Sequence, residues 1–336
     1  MKSGSKVTLK QITIKAKRFS FALCLLLLIS SCISAQTAQA TEASGAIATP
    51  ATLQELVDEA ARATLQKFRD KKLEENQLSI TLIDLRHPDD PVTASYRGNE
   101  RIYPASVVKM FYLAAVHRWL EDKKISDTSE LQRAVKDMIV DSSNEATQYV
   151  IDVLTGTTSG FELPPKEMEK WQYKRNAVNR YFAALRYRNI NVNQKTFCED
   201  AYGREAVSRG PNGENRNKLT TDATARLLME IATGKAVSSP RSQQMMDLMK
   251  RDYAGQGSAN DQAHAFTGIA LKGISGAGLW SKAGWTSTTR HDAAYVELPD
   301  GLKFVLVTFT TDQASEREII PTVARVVIEG LKKVAP

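Results

Sequence analysis

The chain has 336 residues, 42% hydrophobic and 25% charged, which excludes a disordered polymer and allows one large core or two interlocked ones. Its formal charge is +7, from 45 basic and 38 acidic side chains, but six of the basic residues precede position 41, leaving 39 against 38 beyond it. The basicity belongs to the N-terminus and gives no warrant for nucleic-acid binding.

The first 18 residues, MKSGSKVTLKQITIKAKR, carry no acidic side chain, and FSFALCLLLLIS follows. That apolar run is about a dozen residues, short of the roughly 20 that span a bilayer. A basic n-region before a short apolar h-region is the pattern of an export signal, so the expected location is periplasmic or secreted. AQA at 38–40 suits a cleavage site, giving a signal over 1–40 and a tether over 41–51. ISSC, ending at Cys32, resembles a bacterial lipoprotein box, the alternative in which an acylated cysteine anchors the chain. Membrane contact is expected only through one of these. With Cys24 and Cys32 in the signal, Cys198 stands alone, so no internal disulfide forms, and a lone thiol without a neighbouring histidine pattern reads as inert.

From residue 52 the elements follow in order. TLQELVDEAARATLQKFRDKK (52–72) has helical apolar spacing after a threonine able to cap. QLSITLIDLR (77–86) and VTASY (92–96) read as strands around the turn-like HPDDP. A buried helix is predicted over 106–121, with Val108, Phe111, Tyr112, Ala115 and Trp119 on one stripe. From 128 to about 250 the periodicity is mostly helical, broken at DSSN, with Thr220 or Thr221 as a cap for TTDATARLLMEIATG. Residues 189–218 have little apolar periodicity, and a polar stretch of that length is often functional. The segment 160–176 reads as a solvated face, with a lip over the site as the alternative. Strands return at 278–286, 292–298 and 302–310, and EIIPTVARVVIEGLKKV closes the chain as a helix. This order predicts an α/β (α+β) fold. An antiparallel sheet is built from both chain ends (52–100 and 265–334) and flanked by helices, with an inserted all-helical part over 106–260.

The histidines at 87, 117, 264 and 291 have no metal-ligand spacing, so no zinc site is expected. No Gly-x-Ser-x-Gly elbow or phosphate-cradling loop occurs, and GISGAG (273–278) lacks the flanking strand and helix such a loop needs. What remains is Ser106-Val-Val-Lys109, Ser142-Ser143-Asn144 and Lys282-Ala283-Gly284. On a helix, positions i and i+3 share a face, so Lys109 stands beside Ser106, and helix-start amides draw negative charge onto the serine oxygen. A lysine takes a proton only when neutral, which burial or a nearby charge such as Lys282 promotes.

These three motifs, in this order, resemble those of the class A serine beta-lactamases and their relatives among penicillin-binding serine hydrolases. The flanks MIVDSSNEAT, NKLTTDATARLL and GLWSKAGW are similar too, so the resemblance covers about 52–334. It implies a beta-lactamase/transpeptidase-like fold and a Ser106 acyl-enzyme, assisted by Lys109, Ser142 and Lys282. It implies Asn144, Ala283, Gly284, Trp285, Thr286 and Arg290 at the substrate, with the amides of Ser106 and Trp285 as oxyanion hole. It implies a monomer acting on a small beta-lactam or cell-wall peptide, with neither metal nor organic cofactor.

Three departures bear on the chemistry. Ser143 stands where aspartate is usual, and Ala283 removes a hydroxyl expected to bind the substrate carboxylate, a role left to Thr286 or Ser287 with Arg290 as anion anchor. The Glu-x-x-Leu-Asn pattern that supplies the deacylating base is missing. Glu199 is the first candidate for that base and Glu205 the second, with Glu214 also in the loop, and no glutamate base there is the third reading. With a base the expectation is beta-lactam hydrolysis. Without one it is a D-alanyl-D-alanine carboxypeptidase, another slowly deacylating penicillin-binding hydrolase, or a vestigial wall-binding protein.

Overall fold

The computed structural model describes residues 52–197, 200–258 and 261–333. The signal, tether, Cys198 and Glu199 lie outside the described residues. Helix α1 (Leu53–Lys67) is opened by a capping box: Thr52 Oγ1 accepts from the Glu55 amide at 3.1 Å, and the Thr52 amide donates to Glu55 at 2.9 Å. Strands β1 (Leu78–Asp84) and β2 (Val92–Tyr96) follow. A 3-10 turn at Ala105–Val108 then leads into α2 (Lys109–Glu121), so the predicted helix over 106–121 begins as a tighter turn carrying the serine.

The helical middle runs through α3 (Ser129–Ile139), α4 (Asn144–Thr155), α5 (Pro165–Arg175) and α6 (Ala177–Ala184). It continues with α7 (Gly203–Arg209), α8 (Thr221–Ala232) and α9 (Ser239–Met249). Of the two threonines offered for α8, Thr220 is the cap, accepting from the Ala223 amide at 3.0 Å. After α10 (Thr267–Leu271) come β3 (Gly278–Trp285), β4 (Thr289–Glu297), β5 (Lys303–Thr311) and α11 (Ile319–Leu331).

The five strands form one antiparallel sheet in the order β2-β1-β5-β4-β3. Strands from both chain ends alternate their side chains between two cores, as a period of two requires. Ala293, Tyr295, Val305, Val307 and Phe309 join the helical middle, with α2, α4 and α8. Ala294, Val296, Phe304 and Leu306 pack instead with α1 and α11. Both faces are therefore covered, and β2 and β3 are the edge strands, β3 being bridged near its start where Lys250 pairs with Trp280 and the Arg251 amide donates to the Leu279 carbonyl at 2.8 Å. Among the described residues no helix is long and apolar enough to cross a membrane.

Candidate active site

Ser106 is partly exposed among buried neighbours, and Ala105 before it is held at φ 46°, a conformation few non-glycine residues adopt. Lys109 is fully buried. Its Nζ donates to the Ser142 carbonyl at 2.5 Å and to Asn144 Oδ1 at 2.8 Å, and lies 3.3 Å from Ser142 Oγ. Ser142 sits at φ 58° in the break between α3 and α4, a left-handed kink that turns both its oxygens toward Lys109. Ser143, where aspartate is usual, caps α4: its hydroxyl accepts from the Ala146 amide at 3.0 Å. Its side chain thus serves the helix, which is why serine is at home there.

Lys282 comes from the opposite side, on β3. Its Nζ donates to Ser142 Oγ at 3.0 Å, to Gln262 Oε1 at 2.6 Å and to the Ala283 carbonyl at 2.8 Å. Burial, and then the charges of Lys109 and Arg251, hold the Lys282 ammonium pKa well below its ordinary value. Gln262 is a site residue that sequence reasoning missed. Its one oxygen accepts from Lys282 and from the Ala283 amide at 3.1 Å, while Nε2 donates to the carbonyls of Ile139 and Val140 at 3.1 and 3.0 Å.

Gly284 is where β3 meets Ser106. A Cβ at this position would fall 2.6 Å from the Ser106 amide nitrogen and 2.8 Å from the Pro104 carbonyl, so only glycine lets the strand approach. The Thr286 amide pairs inward with the Thr289 carbonyl, and the Ala283 amide points outward to Gln262. By alternation the Trp285 amide points outward as well, at the free edge beside Ser106. His291, opposite Gly284, braces the same corner. Its Nε2 donates to the Tyr103 carbonyl at 2.9 Å and its Nδ1 accepts from the Thr310 amide at 3.1 Å, which fixes the tautomer.

The other face of β3 differs from the sequence picture. The Ala283 methyl is buried with Ala265, Phe266 and Ile320. Thr286 Oγ1 accepts from the Thr288 and Thr289 amides at 3.1 Å each, building the turn into β4. That tight turn places Arg290 within β4, 5% exposed and opposite Trp285. Its guanidinium lies 3.9 Å from the centre of the Phe266 ring, which also meets Trp285 at 5.6 Å. Burial and the charge of Arg317 lower the Arg290 pKa to about 10. Its Nε and Nη2 are buried and have no hydrogen-bond partner among the described residues.

The polar stretch 189–218 is cross-linked by its own amides. Asn217 Oδ1 accepts from the backbone of Asn193 and Gln194 at 3.1 and 2.9 Å, and Asn191 donates to the carbonyls of Asn215 and Arg216 at 3.0 Å each. It touches the site through Asn144, whose Nδ2 donates to the Phe197 carbonyl at 3.3 Å. Asn144, expected at the substrate, therefore links Lys109 to this loop. Glu205, the second candidate base, is fully buried, and Arg175 grips both its oxygens at 2.7 Å. Ser159 adds a third bond at 2.8 Å and Lys195 lies 3.6 Å away. A carboxylate so engaged is not poised to activate water, so Glu205 is corrected from candidate base to structural ion pair. Glu214 is tied to Asn212, at 2.9 Å to its side chain and 3.2 Å to its backbone, on the loop surface. The segment 160–176 forms α5, mostly exposed, with Trp171 and Arg175 buried. Among the described residues no group of three His, Cys, Asp or Glu side chains is arranged to hold a metal.

Residues 126–331 match the beta-lactamase enzyme family, and the chain belongs to it. The matched stretch contains the second and third motifs and begins after Lys109. No curated protein matches the chain. A beta-lactamase from Sphaerobacter thermophilus DSM 20745 has the same fold, at 19% identity and a TM-score of 0.60, with 83% of this chain and 98% of that one covered. PBP-A superposes at 16% identity and 0.56, covering 81% of this chain and 97% of that one. A beta-lactamase from Chitinophaga pinensis DSM 2588 gives 17% and 0.56, covering 81% and 99%.

Proposed function

We propose that the chain is an active-site serine hydrolase that opens the beta-lactam amide through a Ser106 acyl-enzyme. The supporting observation is the convergence of two buried lysine amines on one hydroxyl, Ser142 Oγ, at 3.3 Å from Lys109 and 3.0 Å from Lys282. Ser106 Oγ attacks the carbonyl carbon as its proton passes to the Lys109 amine, which accepts it only in the unprotonated form. The amides of Ser106 and Trp285 hold the oxyanion, and each such donor is worth about 3 to 4 kcal/mol of transition-state stabilisation. As the C–N bond breaks, Ser142 gives its proton to the leaving nitrogen and is reprotonated from the lysine pair. Arg290 meets the substrate carboxylate from the end of the Phe266–Trp285 stack. Water then hydrolyses the ester. We place this chemistry outside the cytoplasm, where the N-terminal 40 residues would direct the chain.

A second reading, a long-lived acyl-enzyme formed from penicillins or D-alanyl wall peptides, is favoured by the capture of Glu205 by Arg175. A PBP-A mutant of this fold has been solved as an acyl-enzyme complex with penicillin-G. Nitrocefin turnover by the purified protein, with intact mass recorded during the reaction, separates the readings. Steady hydrolysis without a lingering adduct supports the lactamase. A stoichiometric burst with a persistent acyl mass on Ser106 supports the second. Wild type and Ser106→Ala reacting alike while both stay folded would sink both and leave a vestigial wall-binding protein.

A further inference from the structure

Directly after α9 the backbone joins the edge of β3. Lys250 bridges to Trp280, and the Arg251 amide donates to the Leu279 carbonyl at 2.8 Å. The side chain of Arg251 therefore starts from a fixed place beside the strand, just ahead of Lys282. It is 8% exposed, and its Nη2 donates in two directions, to the Ser281 carbonyl at 2.8 Å and to the Ile139 carbonyl at 3.1 Å.

Both acceptors adjoin the candidate site. Ser281 precedes Lys282 on β3, and Ile139 is the last residue of α3, three positions before Ser142. A carbonyl in the last turn of a helix has no intrahelical donor and favours a positive charge. Among the described residues Arg251 makes no ion pair, its side chain bonding to carbonyls. A buried charge without a paired carboxylate costs stability that an apolar side chain of similar size would not.

We infer that Arg251 is a positioning residue for the Ser106 acylation proposed above, on which this role rests: one nitrogen pins the end of α3, which leads to Ser142, against the strand that carries Lys282. The contact from Lys282 Nζ to Ser142 Oγ joins segments 140 positions apart, and Arg251 spans the same junction. Gln262 spans it as well, from Lys282 to the Ile139 and Val140 carbonyls, but Gln262 is neutral. Lys282 is faced by Lys109 from α2, by Arg251 and by Asp292 of β4. Burial and then the two cations lower its pKa, while Asp292 opposes them. Arg251 itself, drawn down to about 10 by burial against Asp292, Asp141 and Asp261, stays charged at neutral pH. Its bonds and its charge can therefore be removed separately.

The test is the pH profile of Ser106 acylation by nitrocefin in the full protein, Arg251→Lys and Arg251→Met, with circular dichroism as a check on folding. Arg251→Lys keeps the charge without the two-way bond, so its plateau rate should fall on the order of tenfold while the limb belonging to Lys282 stays in place. Arg251→Met loses both, so its plateau should fall at least as far and that limb should move to higher pH. A plateau within a factor of two of wild type in Arg251→Lys, or an unmoved limb in Arg251→Met, would overturn the proposal and leave Arg251 a support of the fold alone. Should Arg251→Met not fold, the Arg251→Lys plateau decides. No acyl mass on Ser106 in the wild type would sink the serine-hydrolase reading and the role of Arg251 with it, which neither variant result does.

Discussion

The Cα of Gly284 and the amide of Ser106 lie so close that a single added methyl group would stand 2.6 Å from that nitrogen. The proposed nucleophile and the strand proposed to align the substrate are thus fitted backbone to backbone. Gly284→Ala should push β3 away from the turn and lower the rate of Ser106 acylation on the order of 100-fold, the usual consequence of misplacing reacting groups by about an ångström. Stopped-flow acylation by nitrocefin, with circular dichroism as a check on folding, measures this. An acylation rate within a factor of two of wild type would show that the contact does not position the serine.

Gln262→Leu removes the oxygen that accepts from both Lys282 and the Ala283 amide. That oxygen stabilises the charged form of Lys282, so its loss lowers the lysine pKa further. Acylation should fall about tenfold, and the limb of its pH profile that belongs to Lys282 should move to lower pH. A uniform drop in rate with an unmoved profile would mean that Gln262 supports only the loop.

Removing the Glu205 charge leaves the buried Arg175 guanidinium with Asp152, at 3.5 Å, as its remaining carboxylate. Glu205→Gln should cost about 3 to 5 kcal/mol of stability, much of it recovered in a double variant with apolar side chains at both positions. Urea unfolding of the three proteins checks this. If Arg175 keeps Glu205 from acting as the base, acyl-enzyme lifetime should not lengthen in the folded double variant. A lifetime extended tenfold or more would restore it as the base.

His291 gives the fold an acid limit. Burial lowers its pKa to about 4, against an ordinary value of 6.5. Between those values the unfolded chain binds the proton and the native one does not, so stability falls as pH drops from 6.5 to about 4. The expected loss is roughly 3 kcal/mol, and it levels off below that window. Below it, the protonated Nδ1 can no longer accept from Thr310. Buried His117 shares this window, its pKa also lowered to about 4, so His291→Gln should remove about half of this slope in the curve of thermal midpoint against pH. An unchanged slope would place the acid sensitivity elsewhere.

Much of this architecture was legible because the residue types repeat at the period of their element. Tyr295 and Val296 alternate between the two cores as their strand pattern demands, and the three motifs kept their order and placement. The rest depended on contacts made at a distance. Gln262 carries no local signal, since its role arises only when the chain passes beside Lys282. The loop at 189–218 lacks apolar periodicity because asparagine amides, rather than a core, hold its backbone. The strand expected from 292 begins at Thr289, because the Thr286 turn is tight enough to bring Arg290 into its first residues. The capping role of Ser143 was there to be read, from a serine directly ahead of Asn-Glu-Ala at a helix start.

The central strand β5 is hydrogen-bonded to β1, with Leu78 facing Thr310 across more than two hundred intervening residues. The sheet therefore cannot close until nearly the whole chain has left the ribosome, and loop closure over such a span makes its assembly slow. The nascent polypeptide therefore spends its synthesis without a finished core. The same delay exposes apolar β1 to other chains, so the yield of native protein should depend on how soon its last fifty residues arrive.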